Sequence, residues 1–227
     1  MGGLIQGGST RNHVHPPGAS VNYAEHEADG TLVLHGAATY FEDLRIEPSV
    51  RTSGNHAPVL EKWGDDLAGT SIGVWAYSFD DVSAADEKEV MFSMQMPHAW
   101  KLGSDIAIHV HWLANLADTT ATPRWGLEYC MAEIGTTFPD TTIVYAVGNT
   151  EADADVKAYH HYVTAFAAIT PGASADGIST VLMGRLFRNS SNAADTYNVG
   201  GGNKCGLLYV DAHVECDALG SRSEWTK

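Results

Sequence analysis

From residue 71 onward, apolar and polar positions alternate in short runs. They are "SIGVWAYSF" (71–79), "EVMFSMQM" (89–96), "DIAIHVHWL" (105–113), "WGLEYCMAEI" (125–134), "TTIVYAV" (141–147), "KAYHHYVTAFAAI" (157–169), "ISTVLMGRLFRN" (178–189) and "GLLYVDAHVEC" (206–216). Each is rich in Val, Ile, Thr or aromatic residues and is bounded by Gly, Pro, Asn or Asp, the signature of a strand. No segment sustains a 3.6-residue apolar stripe. About eight strands without intervening helices argue for an all-β, antiparallel sandwich or barrel; a jelly roll has this strand count, and a jelly-roll-like β-sandwich is the expectation.

Two of these runs carry polar faces. On a strand, residues i and i+2 point the same way. His109 and His111 therefore share a side with Asp105 and Ala107, while Ile106, Ile108, Val110 and Trp112 face the other. In the last run, Asp211, His213 and Glu215 oppose Val210, Ala212 and Val214.

The pattern divides the chain in three. Residues 1–30 are rich in Gly, Pro, Asn and His, lack periodicity, and read as a flexible N-terminal arm. Residues 31–70 form a strand-plus-loop extension, with "TLVLH" (31–35) and "ATYFEDLRI" (38–46) as strands and Pro48, Gly54, Pro58 and Gly64 as breakers. Residues 71–227 form the sandwich, with "NSSNAADTYNVGGGN" (189–203) as a connector across one end.

Composition narrows the function classes. The 227 residues are 44% hydrophobic and 18% charged, an ordinary core with a weakly charged surface. Twenty-eight acids against 13 bases give a formal charge of −15 without any Lys/Arg cluster. A surface that neutralises phosphates has the opposite balance, so nucleic-acid binding is not expected. No window reaches the ~18 consecutive apolar residues of a membrane span. The N-terminal "MGGLIQGGSTRNHVHPPGAS" lacks the apolar core of a signal peptide, so folding in a cytoplasm is expected. Cys130, Cys205 and Cys216 have no paired spacing and read as reduced, partly buried thiols.

The histidines offer the main candidate chemistry. His109, His111 and His213, with Asp211 or Glu215, have the donor types of a zinc or non-haem iron site. Cupins use a His-x-His pair in this way, but with a glutamate a few residues downstream; here "WLANLADTT" follows, and the next glutamate is Glu128. The competing reading is that the imidazoles hydrogen-bond across a sheet or line a subunit contact. "YHHY" (159–162) suits a half-buried strand or interface. His13 and His15 lie in the arm. There is no G-x-S-x-G nucleophile elbow, and "VGGGNK" (199–204) lacks the Ser/Thr and helix of a phosphate loop. Six tryptophans leave a sugar-stacking, lectin-like role open, although core packing explains most of them more simply.

The set "MQMPHAWKLGSDIAIHVHW", "WGLEYCMAEIGTTFP", "MGRLFRNSSNAADTY" and "DAHVECDALGSRSEWTK", preceded by "ATYFEDLRI", resembles a family of uncharacterised proteins of tailed bacteriophages and prophages encoded near virion structural genes. The resemblance spans roughly residues 37–227. It implies a β-sandwich virion component and supplies no catalytic residues. The expectation is a non-enzymatic capsid decoration or cement protein, located in the virion after assembly in the host cytoplasm. It would form a homo-oligomer, with a trimer favoured, and contact the major capsid protein or other virion proteins. No nucleic-acid or membrane partner and no cofactor is expected, and His109 and His111 are assigned an architectural role. A neck, tail or fibre attachment protein is the nearest alternative; a cupin-like metal-binding enzyme or lectin is the further one.

Overall fold

The computed structural model describes residues 22–26, 28, 30–50, 54–64, 73–80, 87–118, 121–148, 156–197, 202–221 and 224. The strands are β1 (Tyr23–His26), β2 (Leu32–His35), β3 (Tyr40–Ile46), β4 (Val59–Trp63), β5 (Val74–Phe79), β6 (Glu89–Gln95), β7 (Ile106–Ala114), β8 (Arg124–Ala132), β9 (Thr142–Val147), β10 (His161–Ala165), β11 (Val181–Arg188) and β12 (Cys205–Cys216). All strand pairings are antiparallel, and no α-helix occurs among the described residues. The expected all-β antiparallel sandwich is present.

One layer runs β10-β7-β12-β5-β4, with β3 also paired to β12; the other runs β6-β11-β8-β9. The pairings nest: β5 with β12, β6 with β11, β7 with β10, and β8 with β9. A long hairpin rolled over itself produces this order. β12 is long enough to hold two partners end to end along one edge, β5 at Cys205–Leu207 and β3 at Val210–Cys216, while β7 lies along the other. A bulge between Leu207 and Tyr209 lets Leu207 join the core and still turns Tyr209 outward.

Alternation produces the layers. In β7, Ile106, Ile108, Val110 and Trp112 are fully buried between the sheets. They meet Phe92, Leu127, Leu182 and Leu186 from the second layer in one continuous core. Trp112 packs at a tilt against Tyr162, with ring centres 4.9 Å apart, and its indole N–H donates to Thr164 Oγ1 at 3.0 Å. Trp63, Trp100, Trp112 and Trp125 are buried, as the core-packing reading expects. Trp75 is exposed, and Trp225 lies outside the described residues. Gly184 makes room for the core: a Cβ there would stand 2.3 Å from the Phe92 ring. Cys130, Cys205 and Cys216 are free thiols, and burial pushes the Cys205 thiol up to about 12.

The structure adds two strands to those read from the sequence. β1 lies within the segment read as an arm; it pairs with β2, and Tyr23 stacks on His35 at 4.5 Å. β4 lies within the segment read as mostly loop, where Glu61 and Lys62 interrupt the apolar pattern of a five-residue strand. Its place is set by pairing with β5, with Trp63 tucked beside Ala76 and Leu113 on the outer side of the sheet. Within the segment read as an extension, β3 and β4 join the larger sheet, while β2 pairs with β1. β10 is shorter than the 157–169 run, because Tyr159 adopts φ 60° and turns the chain just before it. Residues 1–21, including His13 and His15, lie outside the described residues.

Candidate functional site

The outer face of the larger sheet gathers the polar positions of four adjacent strands. Register places His109 opposite Asp211, Ala107 opposite His213, and His111 opposite Tyr209. Val163 lies beside His111 on the β10 side, while Asp43 and Arg45 lie beside His213 and Asp211 on the β3 side. The i, i+2 rule thus brings three strands' histidines to one surface, and antiparallel pairing aligns them around one carboxylate.

Asp211 is the centre. Its side chain is only 8% exposed. His109 Nδ1 approaches Oδ1 at 3.3 Å, while His111 Nε2 and His213 Nε2 approach Oδ2 at 3.2 and 3.4 Å. His213 Nε2 also lies 3.0 Å from Asp43 Oδ1. On the far side, His111 Nδ1 lies 2.8 Å from His161 Nε2, one imidazole donating to the other. The rings of His109 and His213 meet edge to face at 4.3 Å, and His111 stacks on Tyr209 at 4.2 Å. Arg45 covers the other end of this stack, with its guanidinium carbon 4.5 Å from the Tyr209 ring centre.

These short contacts do not satisfy the buried atoms. Asp211 Oδ1 and His111 Nε2 are buried, and neither has a hydrogen-bond partner among the described residues. The approaches are close enough for electrostatic attraction, but their directions are not those of hydrogen bonds. Burial raises the Asp211 carboxyl, but contact with His109 and attraction to His111 and His213 outweigh it, leaving the group below the usual carboxylate range. Burial lowers the His111 imidazole despite the neighbouring Asp211. The group is therefore an ionised, largely dry carboxylate surrounded by nitrogen donors.

Of the residues the sequence offers, His109, Asp211 and His213 form one group, their ligand atoms all within 4.8 Å of one another. His111 stands against the other flank of the carboxylate. Glu215 belongs elsewhere: it accepts hydrogen bonds from Lys101 at 2.9 Å and Thr39 at 2.8 Å, which hold its carboxyl below the usual range. Asp105 is likewise occupied, by Thr170 at 2.7 Å. The sequence reading did not find Asp43, because its closeness to His213 depends on the register of β3 against β12.

A second buried charge, also missed, sits at the sandwich end. Arg188 closes β11 and is 1% exposed. Its Nε and Nη2 donate to both oxygens of Asp195 at 2.9 Å. Nη1 donates to the carbonyls of Phe79 and Asn203, and Nη2 also to that of Tyr197. All five N–H groups are used, and the connector after β11 is folded onto the start of β12. This pair is a structural clasp.

No protein-family model matches the chain, and no curated protein matches it.

Proposed function

We propose that this chain is a jelly-roll structural protein of a tailed-phage virion, a decoration or cement protein that binds copies of itself and the capsid shell. The nested pairing of β5 to β12 supports the jelly-roll assignment, and the sequence resemblance supports the virion setting. The observation that carries an assembly role is strand β9, "TIVYAV".

β9 ends its sheet, and no described strand pairs with its outer edge. Ile143, Tyr145 and Val147 are all about half exposed on it. The strand contains no charge and no proline, the devices that ordinarily blunt a free edge. An unblunted apolar edge is a template for another chain. Repeated over a shell, such contacts add through multivalency and resist outward pressure mechanically, without chemistry. A trimer about the particle's local three-fold axes fits this role.

Mass spectrometry and reconstruction of purified particles test the reading. A cement protein is present at on the order of hundreds of copies on the outer shell. The paired substitution Ile143→Lys, Val147→Lys should release it from particles while the isolated protein still folds. Absence from the particle, or a location inside the capsid, defeats the proposal. A count of about a dozen or fewer would move the protein to the neck or tail.

A further inference from the structure

We infer that the outer face of β7 and β12 is a binding site for a zinc-class divalent transition-metal ion, held by His109 Nδ1, Asp211 and His213 Nε2. The inference does not depend on the virion reading.

Three observations carry it. The first is the donor set: two borderline imidazole nitrogens beside one hard carboxylate oxygen, in which the imidazoles favour Zn²⁺, Co²⁺ or Ni²⁺ over Mg²⁺ or Ca²⁺. The second is spacing. Metal–ligand bonds of about 2.0–2.1 Å in tetrahedral geometry put ligand atoms roughly 3.3 Å apart. His109 Nδ1 stands 3.3 Å from Asp211 Oδ1 and His213 Nε2 3.4 Å from Oδ2, one imidazole at each oxygen of the carboxylate. The two imidazoles themselves already meet edge to face at 4.3 Å between ring centres.

The third observation is the unsatisfied carboxylate. Asp211 has a side chain more than nine-tenths buried, and its Oδ1, which His109 Nδ1 approaches at 3.3 Å, has no hydrogen-bond partner among the described residues. An ionised carboxylate in that condition is costly unless something completes it. A cation held between the Asp211 carboxylate and the two imidazoles, whose ligand atoms lie within 4.8 Å of one another, would do so and would bridge β7 to β12.

The surroundings are those of a metal site. Asp43 Oδ1, 3.0 Å from His213 Nε2, lies on the exposed side and is placed to accept from a metal-bound water. His111 flanks the other carboxylate oxygen at 3.2 Å and is itself braced by His161. With three protein ligands, one coordination position remains on the exposed side, open to water or to a side chain of a neighbouring copy.

The test uses the full chain without an affinity tag, stripped with chelator and titrated with ZnCl₂ in a calorimeter. To keep the arm's His13 and His15 from contributing, the titration is repeated in a His13→Ala, His15→Ala background. One zinc per chain is expected in both. His213 is partly exposed, so His213→Ala should keep the fold, checked by circular dichroism, and weaken binding at least tenfold. His213→Cys should restore binding and give the Co²⁺-loaded protein a thiolate-to-cobalt charge-transfer band that the parent lacks. No saturable binding in the arm variant, or unchanged affinity in His109→Ala, His213→Ala, overturns the inference.

Discussion

Asp195 and Asp211 are both buried carboxylates beside nitrogen donors, yet they are built differently. Asp195 receives two hydrogen bonds from Arg188 in a fork, and its Oδ2 also accepts from the Arg124 backbone N–H at 3.0 Å. The arginine's remaining donors are spent on three main-chain carbonyls. Nothing in that network is left for a ligand. Asp211 is approached by three histidines within 3.4 Å, but one of its oxygens is left without a hydrogen bond. The difference teaches that proximity of opposite charges does not define a structural ion pair. Completeness of hydrogen bonding does, because leaving a buried polar atom unsatisfied costs more than a made hydrogen bond contributes net.

The largest effect should come from breaking the complete network. Asp195→Asn leaves the Arg188 guanidinium buried without its counter-charge and should cost about 3–5 kcal/mol of unfolding free energy, read by urea denaturation. A cost below about 1 kcal/mol would show that the clasp is not structural.

The matched change at the incomplete site should be much milder. In chelator-treated protein at pH 8, Asp211→Asn should alter stability by no more than about 1 kcal/mol, because it removes a buried charge that has few hydrogen bonds to lose. Addition of zinc should then stabilise the parent and leave the variant unmoved, since a ligand stabilises only the state that binds it. If Asp211→Asn cost as much as Asp195→Asn without metal, the contrast between the two sites would collapse.

The smallest effect belongs to a third, more accessible network on the outer face of the other sheet. There Arg185 bridges Glu128 at 2.7 Å and Glu89 at 2.8 Å, and Thr141 donates to Glu128 at 2.6 Å. The Thr141 hydrogen bond, followed by that from Arg185, holds the Glu128 carboxyl below its ordinary value of 4.5. A carboxyl whose folded value is depressed contributes stability above its unfolded value and loses it as pH falls through the folded one. Glu128→Gln should therefore lower the melting temperature slightly at pH 7, by less than about 1 kcal/mol in stability. Parent and variant should converge as the pH drops below 4.5. A gap that widens on acidification would reverse the sign assigned to this group.

Much of the sandwich was legible. The runs that became β6, β7, β8, β9, β11 and β12 announce themselves by two-residue alternation and Gly or Asn boundaries, because each buries one face against a whole second sheet. β1 and β4 were not legible. "YAEH" and "VLEKW" are too short and too exposed to carry a pattern, and neighbours impose their strand form. At the site, the shared face of His109 with His111, and of Asp211 with His213, followed from spacing alone. Arg188 was hidden because a lone arginine ending an apolar run looks like an ordinary strand terminus, and its carbonyl partners have no sequence signature.

The sequence by itself determined the class of fold and which side chains share a face, since both depend on a period of two along one strand. Only the tertiary structure decided which faces meet. His109 and Asp211 are 102 positions apart in the chain, and their contact depends on the antiparallel register of β7 against β12. The bulge after Leu207 sets the parity of β12, keeping Leu207 in the core while Asp211 and His213 point outward. A slip of one residue would send those side chains to the opposite face and dismantle the cluster, because register is a property of paired strands and of what their two faces bury.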